Sequence, residues 1–410
     1  MEILLFTSFL LIAFVFFSVL KTEKIFIRLA PIFFLVLFLS GHALIELKFK
    51  DRIFRDNDDQ VYFIKEGRQC IECSLKDIYN PFELKKGFPN PYPFTFTSCL
   101  FHKYSYAPVF ALRFFNFILF ILMILLMYQS VLLITQSKRH ARIAGLLVCM
   151  GTSFQLYQFY FLRDLAICFL SALIIFFTVT SFFGSKKIIG IFLSLLGLLL
   201  AFYCQYTLRM HAISVGIMFL ANFIGIVVIE KTKVRVPYYL VVIISFLYYW
   251  NYSIGDFLVG KFEFSFFFKN PSRVVALTKE FLLNFSGIGF IIPSYGVHDT
   301  WITWVLKRSI TFDRLLYPLI FIYFLFKVNL KQKILFFFLS VPGYYIYEAV
   351  YYYYREYHTI SLGFGFRHAI VFYIYFPFFI PWMAFLNNKN RKNARLTLDG
   401  RNNFLDILLP

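Results

Sequence analysis

Five arginines stand where a chain of this kind has little mechanical need of them. Arg113 falls just inside the end of an apolar run, and Arg163 and Arg209 each join two such runs. Arg355 and Arg367 bracket the turn between the last two, and all five lie on the side opposite the junctions that collect lysine. Most have polar company. Asp164 follows Arg163, His211 lies two residues beyond Arg209, Glu356 and His358 follow Arg355, and His368 follows Arg367. A guanidinium is planar, always charged and able to hold a phosphate through two parallel N–H bonds. Any one of these residues reads equally well as a side chain reaching up to lipid headgroups. Five of them, spread over most of the junctions on one side, point instead to a basic cavity. Such a cavity would bind a phosphate or diphosphate at headgroup depth through Arg113, Arg163, Arg209, Arg355, Arg367 and His368.

A general base for that site has three candidates. In Arg55-Asp56-Asn57-Asp58-Asp59-Gln60-Val61-Tyr62, three aspartates crowd four positions just ahead of an apolar stretch. A solvated acidic turn is the commonest meaning of such a run. The Val61-Tyr62-Phe63-Ile64 that follows reads as the start of an interfacial helix, which would hold a carboxylate near the bilayer surface. Asp59 is favoured over Asp58 because it lies nearest that helix. His211 is the third candidate, since an imidazole of reference pKa about 6.5 exchanges protons near neutrality.

Other residues carry weaker signals. Glu348 is an acid inside an apolar run and reads either as functional or as a counter-ion to an arginine. Tyr351 to Tyr354 fit an aromatic belt at the membrane boundary, and Trp301 and Trp304 fit interfacial anchors better than sugar platforms. Cys70, Cys73 and Cys99 share one polar segment, where a disulfide can form but the pairing is open. His102 would be a fourth zinc ligand beside them, yet the spacing does not favour a metal site, and no metal or other cofactor is expected.

These groups need elements to position them, and composition says what those elements are. The 410 residues are 60% hydrophobic and 15% charged, with a mean hydropathy of +0.69. A soluble domain has nowhere to put so much apolar surface, whereas about 20 consecutive apolar residues cross a bilayer core as a helix. The net charge of +19 is explained by loop lysines and arginines that orient the chain and meet anionic lipid, not by nucleic acid. The reading is an all-α polytopic membrane protein of about eleven spans. They are placed at 2–20, 28–46, 108–134, 143–162, 165–184, 188–206, 210–230, 237–254, 313–327, 334–353 and 367–386.

The N-terminus has no basic region of the signal-peptide kind, so the first span is expected to be retained with the N-terminus outside. That start puts every lysine-rich cluster in the cytoplasm, from Lys21/Lys24/Arg28 to Lys389/Arg391/Lys392/Arg395. It leaves two long segments outside, 47–107 and 255–312, the second with a stretch from Arg273 to Phe290 that can lie on the membrane as an amphipathic or re-entrant helix. Residues 1–386 form one transmembrane domain and 387–410 a basic cytoplasmic tail. No nucleotide-binding loop is present.

In layout and short motifs the chain resembles polysaccharide polymerases of the Wzy and EpsG type. The residues that carry the resemblance are Arg55, Asp59 and Tyr62, then Phe161-Leu162-Arg163-Asp164-Leu165-Ala166, Arg209-Met210-His211-Ala212-Ile213-Ser214, and a late Arg367 after a large outer loop. It departs from that pattern at Asp56-Asn57-Asp58, where the family has Gly-Thr before the aspartate. Asn90-Pro91-Tyr92-Pro93 and Ala111-Leu112-Arg113-Phe114-Phe115-Asn116 are similar to membrane glycosyltransferases of the GT-C type, which use polyprenyl-phosphate monosaccharides. The resemblance implies glycosyl transfer on the outer face of a bacterial cytoplasmic membrane, with an undecaprenyl-diphosphate-linked oligosaccharide as substrate and a chain-length regulator protein as a partner. A polyprenyl-phosphate sugar donor is the alternative. A flippase for the same lipid-linked glycans is the reading from another class; it would often show two related halves, which this chain lacks.

Overall fold

The computed structural model describes residues 92–151, 164–184, 188–208, 212–232, 270–286 and 374–386, with further positions between 32 and 68 and between 154 and 159. They form helices and the turns that connect them, with no strand among the described residues. In chain order the helices are α1 Tyr92–Tyr104, α2 Pro108–Thr135, α3 Lys138–Met150, α4 Asp164–Phe183, α5 Ile188–Leu208, α6 Ala212–Thr232, α7 Pro271–Ser286 and α8 Phe376–Leu386. Helical residues also occur at 35–43 and at 46 and 47. Three helical segments, Pro108–Thr135, Asp164–Phe183 and Ile188–Gln205, are long and apolar enough to cross a membrane. The protein is a helical membrane protein.

Those three match the expected spans at 108–134, 165–184 and 188–206 closely, because each is an unbroken apolar run. Pro108 starts α2, where a missing N–H costs nothing. At the other end Gln136 takes the left-handed conformation, its N–H bonded to Leu132 O at 2.8 Å, and turns the chain sharply into α3. The spans expected at 2–20, 237–254, 313–327 and 334–353 lie outside the described residues.

The span expected at 143–162 is not one helix. Helix α3 begins earlier, at Lys138, and stops at Met150, where Gly151 leaves helical geometry; residues 158 and 159 form a turn. Glycine followed by Thr152 and Ser153 favours that exit, since glycine carries the largest backbone entropy and hydroxyls compete for backbone bonds. The break is buried and its backbone is partly satisfied. Gly151 N–H donates to Val148 O at 3.1 Å, and the Gln155 side-chain amide donates to Cys149 O. Helical geometry returns at residues 154 and 155, where Gln155 N–H donates to Gly151 O at 3.1 Å.

Core packing differs from one helix to the next. Helices α2 and α4 bury about half of their apolar windows, whereas α5 buries little. Ile188, Phe192, Leu196, Leu199 and Leu200 on α5 are exposed, as a lipid-facing surface requires. Aromatic rings join α6 to α8: Phe219 stacks on Tyr375 at 5.1 Å, and Phe223 lies 5.3 Å from Trp382. Tyr375 precedes α8 in a turn, and Pro377 occupies the first turn of the helix, a position proline tolerates well.

Candidate functional site

Among the arginines singled out in the sequence, Arg113 is the one within the described residues. It lies in the second turn of α2 and its exposure is 0%. Phe110, Arg113, Phe114 and Phe117 repeat at helical spacing and present one face to the helical residues at 35–43. Phe38 answers that face, with ring centroids 4.9 Å from Phe117 and 5.6 Å from Phe159. Close approach here depends on Gly41, because a Cβ on it would lie 2.6 Å from the Phe159 ring. The aromatic packing forms a dry floor beneath the guanidinium.

Arg113 is held by three groups that sequence reasoning did not connect with it. Its Nε–H donates to Phe159 O at 3.2 Å. Nη1 donates to Glu46 Oε1 at 2.6 Å and to His42 Nδ1 at 3.0 Å. A guanidinium only donates, so His42 accepts through Nδ1 and carries its proton on Nε2. The imidazole is fixed by rings as well, stacked on Phe38 and edge-on to Phe110 at 4.9 Å. Glu46 is 33% exposed, so the ion pair reaches from the dry interior toward the protein surface. His42 and Glu46 are one helical turn apart, and that four-residue spacing was the available signal.

The acceptor carbonyl of Phe159 belongs to the turn at residues 158 and 159. A carbonyl inside a helix is committed to the helix's own ladder, whereas one in a turn can accept from Arg113. Nearby in sequence, Asp164 opens α4 with 0% exposure, a carboxylate at the positive end of the helix dipole. On α2, Asn116 lies one turn beyond Arg113 and is also buried.

Helix α1 holds a second polar group. His102 is buried, and its Nδ1–H donates to Ser98 O at 2.9 Å, which leaves Nε2 as the acceptor nitrogen. Burial lowers the His102 pKa below the usual histidine value; the Ser98 carbonyl acts in the opposite direction, and the charge of Arg68 lowers it further. Cys99, also buried, is disulfide-bonded to a partner outside the described residues. Cys149 and Cys168 are buried thiols and Cys204 a partly exposed one, none of them in a disulfide.

Asp58, Asp59, Arg163, Arg209, His211, Arg355, Arg367 and His368 all lie outside the described residues, as do Cys70, Cys73, Trp301, Trp304, Glu348 and the tyrosine run. The arrangement around Arg113 can hold a permanent cation at membrane depth, with its charge balanced by a partly hydrated carboxylate. Comparison with family models, with curated proteins and with solved structures finds no match to this chain.

Proposed function

We propose that this protein is a glycosyltransferase of the outer face of the cytoplasmic membrane, polymerising oligosaccharide repeat units carried on undecaprenyl diphosphate. The observation that supports it best is the fully buried Arg113 with its partly exposed partners Glu46 and His42. It places a guanidinium among membrane-spanning helices, where a charge without a task is selected against by its desolvation cost. The disulfide of Cys99 supports an outward-facing side for the adjoining segment, since such bonds persist in oxidising compartments.

In this proposal the phosphate contacts fall to Arg163, Arg209, Arg355 and Arg367, with His368. Arg113 is already neutralised, so it joins the cavity as the charged post that ties 35–46 to α2. The arginines stabilise charge developing on the departing lipid diphosphate. Asp59, with Asp58 or His211 as the alternative, takes the proton of the acceptor hydroxyl as the new glycosidic bond forms. The outer segments exclude water that would otherwise hydrolyse the donor.

A second reading has its own support. Arg113 and Asn116 are both buried on α2, the two polar residues of the stretch similar to enzymes with polyprenyl-phosphate sugar donors. Purified full-length protein in proteoliposomes, supplied with each lipid donor and an acceptor, separates the readings. Longer glycans from the diphosphate oligosaccharide support polymerisation, and addition of single sugars supports the monophosphate donor. Relocation across the bilayer without extension would instead make the protein a flippase. Arg163→Ala and Arg367→Ala should each abolish product while membrane insertion stays normal, and Lys at either position should also impair it, because ammonium cannot make the bidentate contact.

A further inference from the structure

Helix α7 is built unlike the long apolar helices α2, α4 and α5. Asn270 starts it, its side-chain oxygen accepting from Ser272 N–H at 3.2 Å and from Ser272 Oγ–H at 2.7 Å, with Pro271 in the first helical position. Leu277 is 3% exposed and belongs to the main hydrophobic core, with Val274 and Ala276 packed beside it. The opposite face is bare: Val275 is 69% exposed and Leu282 57%. Positions 275, 278, 279 and 282 repeat at helical spacing, so Val275, Thr278, Lys279 and Leu282 make one stripe. An open groove of about 500 Å³ runs along it.

Length and chemistry together select what covers this stripe. Sixteen residues of helix rise about 24 Å, short of the roughly 30 Å hydrocarbon core, and Arg273 and Lys279 also argue against a span. The exposed residues of α5 are apolar from end to end, the pattern of a surface in hydrocarbon. On α7 the exposed Val and Leu alternate with a lysine and a threonine, the pattern of a helix at the boundary of acyl chains and headgroups. A second copy docked face to face through the stripe would bring Lys279 against Lys279. An anionic phospholipid phosphate complements it.

We propose that α7 lies in the membrane interface, with Val275 and Leu282 inserted among acyl chains and Lys279 at the phosphates of anionic lipid. The stripe is a lipid-docking surface, and this holds whatever reaction the protein catalyses. The test uses the full-length protein in nanodiscs of phosphatidylethanolamine and phosphatidylglycerol, with photoreactive benzoylphenylalanine at position 275, 282 or, as a lipid-facing reference, 199. After irradiation, mass spectrometry should find phospholipid adducts at 275 and 282 within about threefold of the yield at 199, as expected for an inserted face. A yield lower by about tenfold, or adducts to a second copy of the chain, would overturn the proposal. Lys279→Glu should cut the phosphatidylglycerol share of the adducts at 275 by about threefold, and an unchanged share would remove the lysine from the interface.

Discussion

Two of the polar clusters among the described residues, around Gln205 and around Arg113, are put together by different rules. Around Gln205 every partner is neutral. Its amide donates to Ser171 Oγ at 2.8 Å, Ser171 donates on to Ile167 O at 3.1 Å, and the Tyr375 hydroxyl lies beside both side chains. Around Arg113 the donor is a permanent cation, one partner is a carboxylate, and the assembly reaches toward the surface through Glu46. Neutral hydrogen bonds between membrane helices contribute only about 0.6–1.7 kcal/mol. A buried ion pair bears a desolvation cost that its attraction does not reliably recover. Gln205 attaches one helix to another with neutral groups alone. Arg113 ties 35–46 to α2 with a permanent charge, a costlier means than that attachment requires.

The largest test of that contrast is Arg113→Met. Removing the cation leaves Glu46 without its counter-charge, and a broken buried pair costs about 3–5 kcal/mol; the partial exposure of Glu46 puts the loss at the lower end. Thermal unfolding in detergent would report it. Adding Glu46→Gln should restore much of the stability, since neutral replacements of such pairs are tolerated. If the restored double variant also makes full-length glycan, the charge serves only folding and the contrast collapses. If it is stable and inactive, the contrast is sharpened.

A smaller effect is expected at Gly216. A Cβ there would lie 2.7 Å from the Phe202 ring and 3.3 Å from Gln205 Oε1, so Gly216→Ala crowds the neutral cluster at a cost of about 1–3 kcal/mol. The melting temperature should fall while donor binding is unchanged. Least of all, Gln205→Leu should cost about 0.6–1.7 kcal/mol, read in the same melt. A loss as large as that of Arg113→Met would show that the neutral cluster bears more than its chemistry suggests.

How far these features could be read in advance depended on whether their cause was local. The helices at Pro108–Thr135 and Asp164–Phe183 were legible because an unbroken apolar run is itself the cause of a span. The end of α3 at Met150 was not, because averaging hydropathy over a window hides one glycine and two hydroxyls whose effect is on backbone geometry. Arg113 stood out by the side of the membrane on which it fell, a rule that concerns single residues. Its partners did not. His42 and Glu46 precede it by 71 and 67 positions, and the folded chain alone brings them together. Glu46 read as a mere span boundary, although its one-turn spacing from His42 marked a shared face.

The interruption at Gly151 also bears on how the protein is made. Helix α3 has 13 residues, with Lys138, Arg139, His140 and Arg142 crowded into its beginning, too short and too basic to partition into lipid by itself. Its apolar end, from Ala144 to Cys149, is largely buried against its neighbours, α2 foremost. The order in which α2 and α3 emerge from the ribosome therefore puts the supporting surface in place before the helix that leans on it.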